Sequence, residues 1–219
     1  YGELQILKDI TFRSSFGIDL GYVTNNNYTP KFYLNPAQGN LQSQVFKGST
    51  KYYTWQAENV LNYNKVFGNH NLGLTLGTTA LRRKAEDVAA SKSGLVTNDP
   101  AMAYLNLATD PDGARAFGGI TESALLSVFG RANYNYADKY LFSTVIRRDG
   151  SSRFGRENRF ATFPSFSAGW ILSNESFFPE QDVVNFAKLR ASWGQNGNDD
   201  IGNYSWASVI GVGSGYTFF

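Results

Sequence analysis

Hydrophobic side chains recur at every second position over several long stretches of the chain. In residues 140–149 the aromatic and aliphatic side chains lie mainly at even positions, and Ser143, Arg147 and Asp149 lie at odd ones. Residues 164–173 alternate in the same way. A period of two is typical of a β-strand with one apolar and one polar face. Because the two segments flank a polar loop that contains glycine, they predict a β-hairpin.

The same alternation predicts about eight strands in the chain. They cover residues 10–22, 51–64, 72–80, 126–136, 140–149, 164–172 and 186–193, with a weaker pattern over residues 204–210. The sequence also predicts a polar loop over residues 25–48 and an irregular stretch over residues 82–122, whose middle, residues 100–107, predicts a short helix. The predicted fold is therefore all-β.

The predicted connections alternate between long and short, with lengths of roughly 27, 6, 40, 3, 14, 12 and 10 residues. Outer-membrane barrels have short periplasmic turns and longer extracellular loops, whereas a β-sandwich has no reason to sort its loops in this way. The strands also exceed the roughly 5–6 residues of soluble sheets and approach the 9–11 that cross a bilayer. These features predict an antiparallel transmembrane β-barrel segment.

Residue types along the predicted strands agree with a barrel. An aromatic belt near the short turns is represented by Tyr63, Tyr134, Tyr136, Tyr140, Trp170 and Leu172. Charged side chains at two-residue spacing on the opposite face are difficult to place in a dry core and are expected in a water-filled lumen. The candidates for lumen-facing, substrate-contacting residues are Arg13, Asp19, Glu58, Arg131, Arg147, Asp149, Arg153, Lys188 and Arg190. Arg147 and Asp149 are the foremost candidates to meet a passing solute.

Composition narrows the possible functions. Aromatic residues make up 16% of the 219 residues, and there is no cysteine, which excludes a disulfide scaffold and a cysteine-ligated metal site. The net charge of +2 is small and evenly spread, so no nucleic-acid partner is expected. The first residues carry no signal-peptide pattern, and any such peptide is expected to lie upstream.

Candidate catalytic and metal-binding residues are few. His70 is the only histidine, so a serine–histidine triad would have to use it, and its position after Gly68 and Asn69 favours a turn residue. Asp199 and Asp200 could bind calcium, as could the pair at 110 and 112, but they lack EF-hand spacing and favour solvated turns. No glycine-rich stretch opens a helix, so no nucleotide site is predicted. We expect no catalysis and no cofactor.

The loop RRDGSSRFGRENR, residues 147–159, contains the densest charge in the chain. One interpretation is a polar rim for anionic or sugar ligands. The favoured interpretation is structural: Asp149 and Ser151 would close an Asx-type turn at Gly150, and the arginines would pair with carboxylates on adjacent strands.

The run YNYADKYLFSTVIRRDGSSRFGRENRFATFPSFSAGWILSNESFF and the later run VNFAKLRASWGQNGNDDIGNY closely resemble the barrel region of SusC/RagA-type TonB-linked outer-membrane transporters of Bacteroidetes. The resemblance rests on a strand that ends in DKY, an R-x-DGSS-x-F loop, an FPS-x-S-x-GW strand, an E-x-F turn and a K-L-R-x-S-x-G strand. These motifs cover about half the chain strongly and the remainder loosely.

The resemblance implies a plugged barrel of about 22 strands in the outer membrane. It also implies import of oligosaccharides or peptides, energised through TonB, with a SusD-like surface lipoprotein as partner. Since about eight strands cannot form so large a barrel, we expect residues 1–219 to be an internal part of the barrel domain, without plug or N-terminal domains. Two alternatives remain open at this stage: an extracellular β-sandwich adhesin or glycan-binding module, and a small outer-membrane enzyme or structural barrel.

Overall fold

The computed structural model describes residues 1–178 and 184–207 of the chain. Most of these residues lie in β-strands. The strands are β1 (Gly2–Leu7), β2 (Ile10–Thr29), β3 (Phe32–Asn35), β4 (Gln38–Asn40), β5 (Gln44–Phe67), β6 (His70–Ser93), β7 (Arg115–Tyr136), β8 (Tyr140–Ser151), β9 (Phe160–Ile171) and β10 (Lys188–Gly194). No helix within the described ranges is long and apolar enough to cross a membrane.

Eight strands form one sheet, in the order β1-β2-β5-β6-β7-β8-β9-β10, and β3 pairs with β4 in a separate hairpin. Apart from that hairpin, strands that are consecutive in sequence are also neighbours in the sheet. This is an antiparallel meander. A β-sandwich places two stacked sheets around a core, and the main strands here belong to a single sheet, so the sandwich alternative is wrong.

Two compact units can be distinguished along the strands. The first comprises Tyr1–Gly17, Gln56–Arg82 and Ser123–Phe219, and the second comprises Ile18–Trp55 and Arg83–Glu122. The long strands β2, β5, β6 and β7 contribute residues to both units, whereas β8, β9 and β10 belong to the first alone.

In the first unit the strand register keeps like faces together. Even-numbered residues pair across β7, β8 and β9, as in the row Tyr136–Tyr140–Trp170. Odd-numbered residues pair in the same way, as in Asn133 and Ser143. Because successive side chains of a strand point to opposite sides, one face is rich in aromatic residues and the other is polar. The predicted two-faced hairpin is confirmed.

The apolar face of the first unit is exposed. Phe142, Ile146 and Phe166 have 53%, 53% and 50% of their surface accessible. Neighbouring rings stack with centroid distances of 6.3 Å for Tyr136 and Tyr140, 6.4 Å for Tyr140 and Trp170, and 6.1 Å for Phe166 and Trp193. An exposed apolar surface that extends over several strands marks contact with a membrane or another apolar partner.

The predicted short turns are present at one end of the first unit. Gly68, Ala137 and Asp138 adopt positive φ angles of 59°, 55° and 54°, which let the chain reverse within a few residues. The turns also bond to the adjacent strands, since the Ala137 amide donates to the Asn69 carbonyl at 2.7 Å and the Ile171 amide to the Lys139 carbonyl at 2.8 Å.

A small buried core lies in the second unit. It consists of Val45, Leu95, Ala103 and Ala108, with Tyr28, Leu105 and Leu107 packed against it. The hydroxyl of Ser43, itself 1% exposed, accepts a hydrogen bond from the Leu95 amide at 2.8 Å. This bond satisfies a backbone donor that would otherwise be buried without a partner.

The prediction of two long loops, over residues 25–48 and 82–122, is largely wrong. β2 continues to Thr29 and β5 begins at Gln44, while β6 continues to Ser93 and β7 begins at Arg115. These strand extensions carry polar side chains on both faces, so no apolar period marks them, and pairing with neighbouring strands supplies their backbone hydrogen bonds instead.

Three smaller predictions also need correction. The expected helix at residues 100–107 is two 3₁₀ turns, Pro100–Met102 and Leu105–Leu107. β1 was not predicted, because its short GELQIL sequence has too few residues to show a period. The predicted strand at residues 204–210 begins with turns at 204–206 and a bend at 207, and its residues 208–210 lie outside the described part of the chain.

The carboxylate of Glu175 anchors the turn after β9 to the aromatic row. It accepts hydrogen bonds from Lys139 Nζ at 2.9 Å, Tyr140 Oη at 2.7 Å and Trp170 Nε1 at 3.0 Å. The hydrogen bond from Lys139, followed by those from Tyr140 and Trp170, lowers the pKa of this carboxyl from 4.5 to about 2. The Glu175 side chain is only 11% exposed, so these three donors replace the water that an exposed carboxylate would bind.

We expect the stability of the full-length protein to depend on Glu175 at acid pH. A lowered folded-state pKa stabilises the fold fully above the ordinary value, and this contribution is lost as the pH falls from about 4.5 toward 2. Glu175→Gln should therefore flatten the acid limb of the urea-unfolding midpoint plotted against pH. Glu157→Gln, in an exposed loop, controls for the loss of one negative charge. Parallel acid limbs in wild type and Glu175→Gln would contradict the assignment.

Candidate functional site

The polar face of the first unit carries an open cavity of about 440 Å³. Its polar lining consists of Asn64, Asn71, Arg131, Asn133, Asn135, Ser143, Ser167, Lys188 and Arg190. Three of the predicted candidates, Arg131, Lys188 and Arg190, thus lie around one cavity whose described lining contains no carboxylate. The cavity is therefore cationic and rich in amide and hydroxyl groups.

The strand register organises this cavity. Asn133 pairs with Ser143, and Ser143 with Ser167, so three small polar side chains form a row across three strands. The Asn133 Oδ1 accepts hydrogen bonds from the Ser143 hydroxyl at 2.8 Å and from the Arg131 Nε at 3.2 Å. The buried Oδ1 of Asn135 has no hydrogen-bond partner among the described residues, which leaves an acceptor at the cavity edge.

Arg147 and Asp149 occupy the same face further along β8. The Arg147 Nε donates to Asp149 Oδ1 at 2.7 Å, and a second guanidinium nitrogen donates to the hydroxyl of the fully buried Ser127 at 2.9 Å. The guanidinium lies 5.8 Å from the centre of the Phe129 ring. Phe129 in turn packs against Gly77, where a Cβ atom would come within 2.3 Å of the ring. Arg147 and Asp149, the two foremost candidates, are therefore bonded to each other.

A second cavity, of about 360 Å³, lies beside this pair. Its lining consists of Leu125, Asp149, Ser151, Phe154, Asn158, Arg159, Ala161, Phe163, Gly197, Asn198 and Asp199. The strand ends and the β8–β9 loop supply most of this lining, and the segment after β10 supplies the rest.

Arg153 holds the β8–β9 loop against the segment that follows β10. Its Nε donates to Asn203 Oδ1 at 3.0 Å, and its guanidinium also donates to the Asp199 carbonyl at 2.9 Å and lies 3.8 Å from Asp200. The Ser151 hydroxyl reinforces this contact with a bond of 3.0 Å to Asp199 Oδ2. The loop arginine is therefore a structural anchor in this arrangement.

The predicted Asx-type turn at Gly150 is wrong. Gly150 lies within β8, where it pairs with Leu126 on one side and Phe160 on the other, and the turn begins at Ser152. A Cβ atom at Gly150 would lie 2.3 Å from the Phe160 ring, so close packing explains the glycine. Two loop arginines do pair with carboxylates, but not with carboxylates on adjacent strands as predicted. Arg147 pairs with Asp149 within β8, and Arg153 pairs with Asp200 in the segment after β10.

The remaining candidates lie elsewhere. The Arg13 guanidinium, on β2, lies 4.3 Å from the ring centre of Tyr1. Glu58 is half-buried on β5, also in the first unit. Asp19 is exposed on β2 within the second unit. None of these three lines either of the two cavities.

His70 is the first residue of β6 and not a turn residue as predicted. Its Nδ1 shares a hydrogen bond of 2.7 Å with the Tyr134 hydroxyl, and its ring stacks on Phe67 with a centroid distance of 5.1 Å. Tyr136 lies 4.8 Å from the same ring. The histidine therefore belongs to the aromatic cluster at the short-turn end. In the described ranges, no group of three or more His, Asp or Glu side chains is arranged to hold a metal ion.

The sequence analysis proposed the 147–159 loop as one possible polar rim, but it did not bring that loop together with residues 197–199 in one cavity. Arg159 was counted only as one charge of that loop, Asn158 was not singled out, and Phe163 lay just before the predicted strand at residues 164–172. Asn198 and Asp199 lie far from them in sequence. The signal that could have identified Arg159 is its position directly before β9, where a side chain can pack against the end of the sheet.

No family model matches the chain. Among curated proteins, it is 33% identical over 205 residues to the TonB-dependent receptor P3 of Formosa agariphila, covering 93% of this chain and 20% of that receptor. It is 45% identical over 83 residues to the TonB-dependent receptor SusC of Bacteroides thetaiotaomicron, covering 38% of this chain and 8% of SusC. The chain thus spans about one fifth of the length of the first of these relatives.

Solved structures with the same fold include the RagAB peptide importer in its open-open state. The TM-score is 0.85 at 23% identity, over 99% of this chain and 23% of the other. Another structure of the RagAB peptide transporter gives a TM-score of 0.82 over 92% of this chain and 22% of the other.

The fold and its two unlike faces define an antiparallel segment of a transmembrane β-barrel. Together with the sequence similarities, they show that the chain belongs to the SusC/RagA family of TonB-dependent receptors, as a part of a longer protein. The strand number of the complete barrel stays a prediction.

The close packing of Phe129 on Gly77 should support the Arg147 side chain. Gly77→Ala places a methyl group where the ring now lies, and we expect it to lower the free energy of unfolding by about 1–3 kcal/mol. Gly17→Ala is the matched control, because a Cβ atom there meets no atom within 4 Å. Urea titration of the full-length receptor in detergent measures both. Equal midpoints for the two variants would show that the ring shifts at no cost.

Proposed function

We propose that residues 1–219 form part of the barrel wall of an outer-membrane transporter that imports oligosaccharides or peptides with energy supplied through TonB. The observation that carries this proposal is that the strand register places apolar side chains on one face of the sheet and polar side chains on the other. Phe142, Ile146 and Phe166 are exposed on one side, and Arg131, Asn133 and Arg147 lie on the other. Lipid covers the first face and the second lines the lumen.

The proposal extends to a partner and to the solute. A SusD-like surface lipoprotein would cover the extracellular mouth, by analogy with the RagAB importer, whose fold the chain shares. The solute would pass the polar face, where Arg131, Lys188 and Arg190 supply hydrogen-bond donors, and no catalytic step is part of this role. Arg13, Asp19, Glu58, Arg147, Asp149 and Arg153 remain candidate lumen-facing residues.

Cysteine labelling along β8 tests the two faces, because the chain contains no cysteine of its own. Single cysteines at residues 141–146 are introduced into the full-length receptor, freed of any other cysteine and reconstituted in lipid vesicles. We expect a water-soluble maleimide to label Ser143→Cys and Val145→Cys, and to leave Phe142→Cys and Ile146→Cys unlabelled. The last two should react with a lipid-soluble maleimide instead.

The labelling pattern also distinguishes a barrel wall from a sheet that has water on both faces. A barrel wall is supported if the water-soluble reagent labels every second position and the lipid-soluble reagent labels the positions between them. Uniform reaction with the water-soluble reagent would mean that both faces contact water, and the barrel assignment would then fail for this segment.

A further inference from the structure

The second cavity contains a buried nitrogen, on the half-buried Arg159, that the described part of the fold leaves without a hydrogen-bond partner. The Nε of Arg159 is buried and has no hydrogen-bond partner within the described part of the chain. A buried hydrogen-bond donor without a partner carries a desolvation penalty, which is larger when the donor belongs to a charged group. A ligand that presents an acceptor oxygen to this nitrogen would remove that cost.

The lining of the cavity also presents acceptors. Asp149 accepts a hydrogen bond from Arg147, and Asp199 accepts one from Ser151. Since an ionised carboxylate can accept about four hydrogen bonds, both retain capacity for donors on a ligand. The cavity therefore offers one donor of positive charge and two acceptors of negative charge.

Two aromatic side chains also belong to the lining. Phe154 and Phe163 both line the cavity and are half-buried. A Cβ atom at Gly197 would lie 2.2 Å from the Phe163 ring, so the segment after β10 packs closely on that ring. The volume of about 360 Å³ lies within the range of roughly 300–1,000 Å³ that is typical of small-molecule sites.

We propose that this cavity binds one ring of a neutral, polyhydroxylated ligand, that is, a sugar unit. Hydroxyl groups both donate and accept, so they can satisfy Arg159 and the two aspartates together. A ligand with a single charged group would be attracted by one of these side chains and repelled by the other kind, because the lining contains Arg159 and also Asp149 and Asp199. A neutral ligand avoids this conflict. The apolar side of the ring would pack on Phe154. This inference deepens the proposed transport function and rests on it, since it makes the cavity a saccharide subsite in the barrel wall.

Equilibrium binding to the detergent-purified full-length receptor tests the proposal. The probes are the neutral disaccharides maltose, cellobiose and laminaribiose, the acidic digalacturonate, and the peptide Ala-Ala-Ala, each observed by saturation-transfer NMR. We expect at least one neutral disaccharide to bind more tightly than digalacturonate and the peptide. Arg159→Gln should weaken that binding about tenfold, the scale of one hydrogen bond to a charged group.

Arg156→Gln provides the matched control, because Arg156 is an exposed arginine of the same loop that does not line the cavity. It should bind the disaccharide as wild type does. Phe154→Leu should also weaken binding if a ring packs there, and an unchanged urea midpoint excludes misfolding as the cause.

Three results would overturn the subsite: no neutral disaccharide binds, the peptide or the acidic sugar binds more tightly, or Arg159→Gln binds as well as wild type. Uptake of the same probes by cells that express the receptor is measured in parallel. Uptake without disaccharide binding at this cavity would reject the subsite and leave the transport function standing. If no probe is taken up but a disaccharide binds in a way that depends on Arg159, the subsite stands and the transport function is rejected.

Discussion

The antiparallel register of β7, β8, β9 and β10 is the constraint on which the rest of the structure depends. Each residue has one partner on the neighbouring strand, so a one-residue shift would move every side chain to the opposite face. Tyr140 would then leave the aromatic row and Ser143 would leave the polar row. In a membrane such a shift would expose charge to lipid, which costs several kcal/mol for Arg near the bilayer centre. The two unlike faces therefore specify the register, and the register assembles the cavities.

Close contacts on the polar face show how a wet surface can still be ordered. Gly77 leaves room for the Phe129 ring, the ring supports the Arg147 guanidinium, and Arg147 bonds to Asp149 and to the buried Ser127. The ion pair is partly exposed, so by itself it contributes little to stability. Its value lies in orientation, because a guanidinium with two hydrogen-bond partners and a ring beneath it loses much of its rotational freedom.

Sequence reasoning predicted the strands whose two faces differ and failed where they do not. β8 and β9 were predicted because Phe142, Arg147 and Trp170 alternate with residues of opposite character. The outer parts of β6 and β7 carry polar residues on both faces, and only pairing with neighbouring strands identifies them. Gly150 was misinterpreted for a related reason, since its contact with Phe160 depends on register across two strands. The cavity around Arg159 was not predicted because residues 197–199, about forty positions away in sequence, supply part of its lining.

The charges on the polar face of the sheet are distributed unevenly. This distribution affects which solutes the face can attract or discriminate. Near the short-turn end, Arg131, Lys188 and Arg190 line a cavity whose described residues include no carboxylate. Farther along β8 and in the loop that follows it, charges of both signs lie close together: Arg147 pairs with Asp149, and Arg153 with Asp200. An uncompensated cationic surface attracts any anion within about a Debye length, roughly 8 Å at physiological ionic strength. A balanced surface instead discriminates by hydrogen-bond geometry. The second cavity is therefore the better place for chemical selectivity, and the first supplies attraction of a less specific kind.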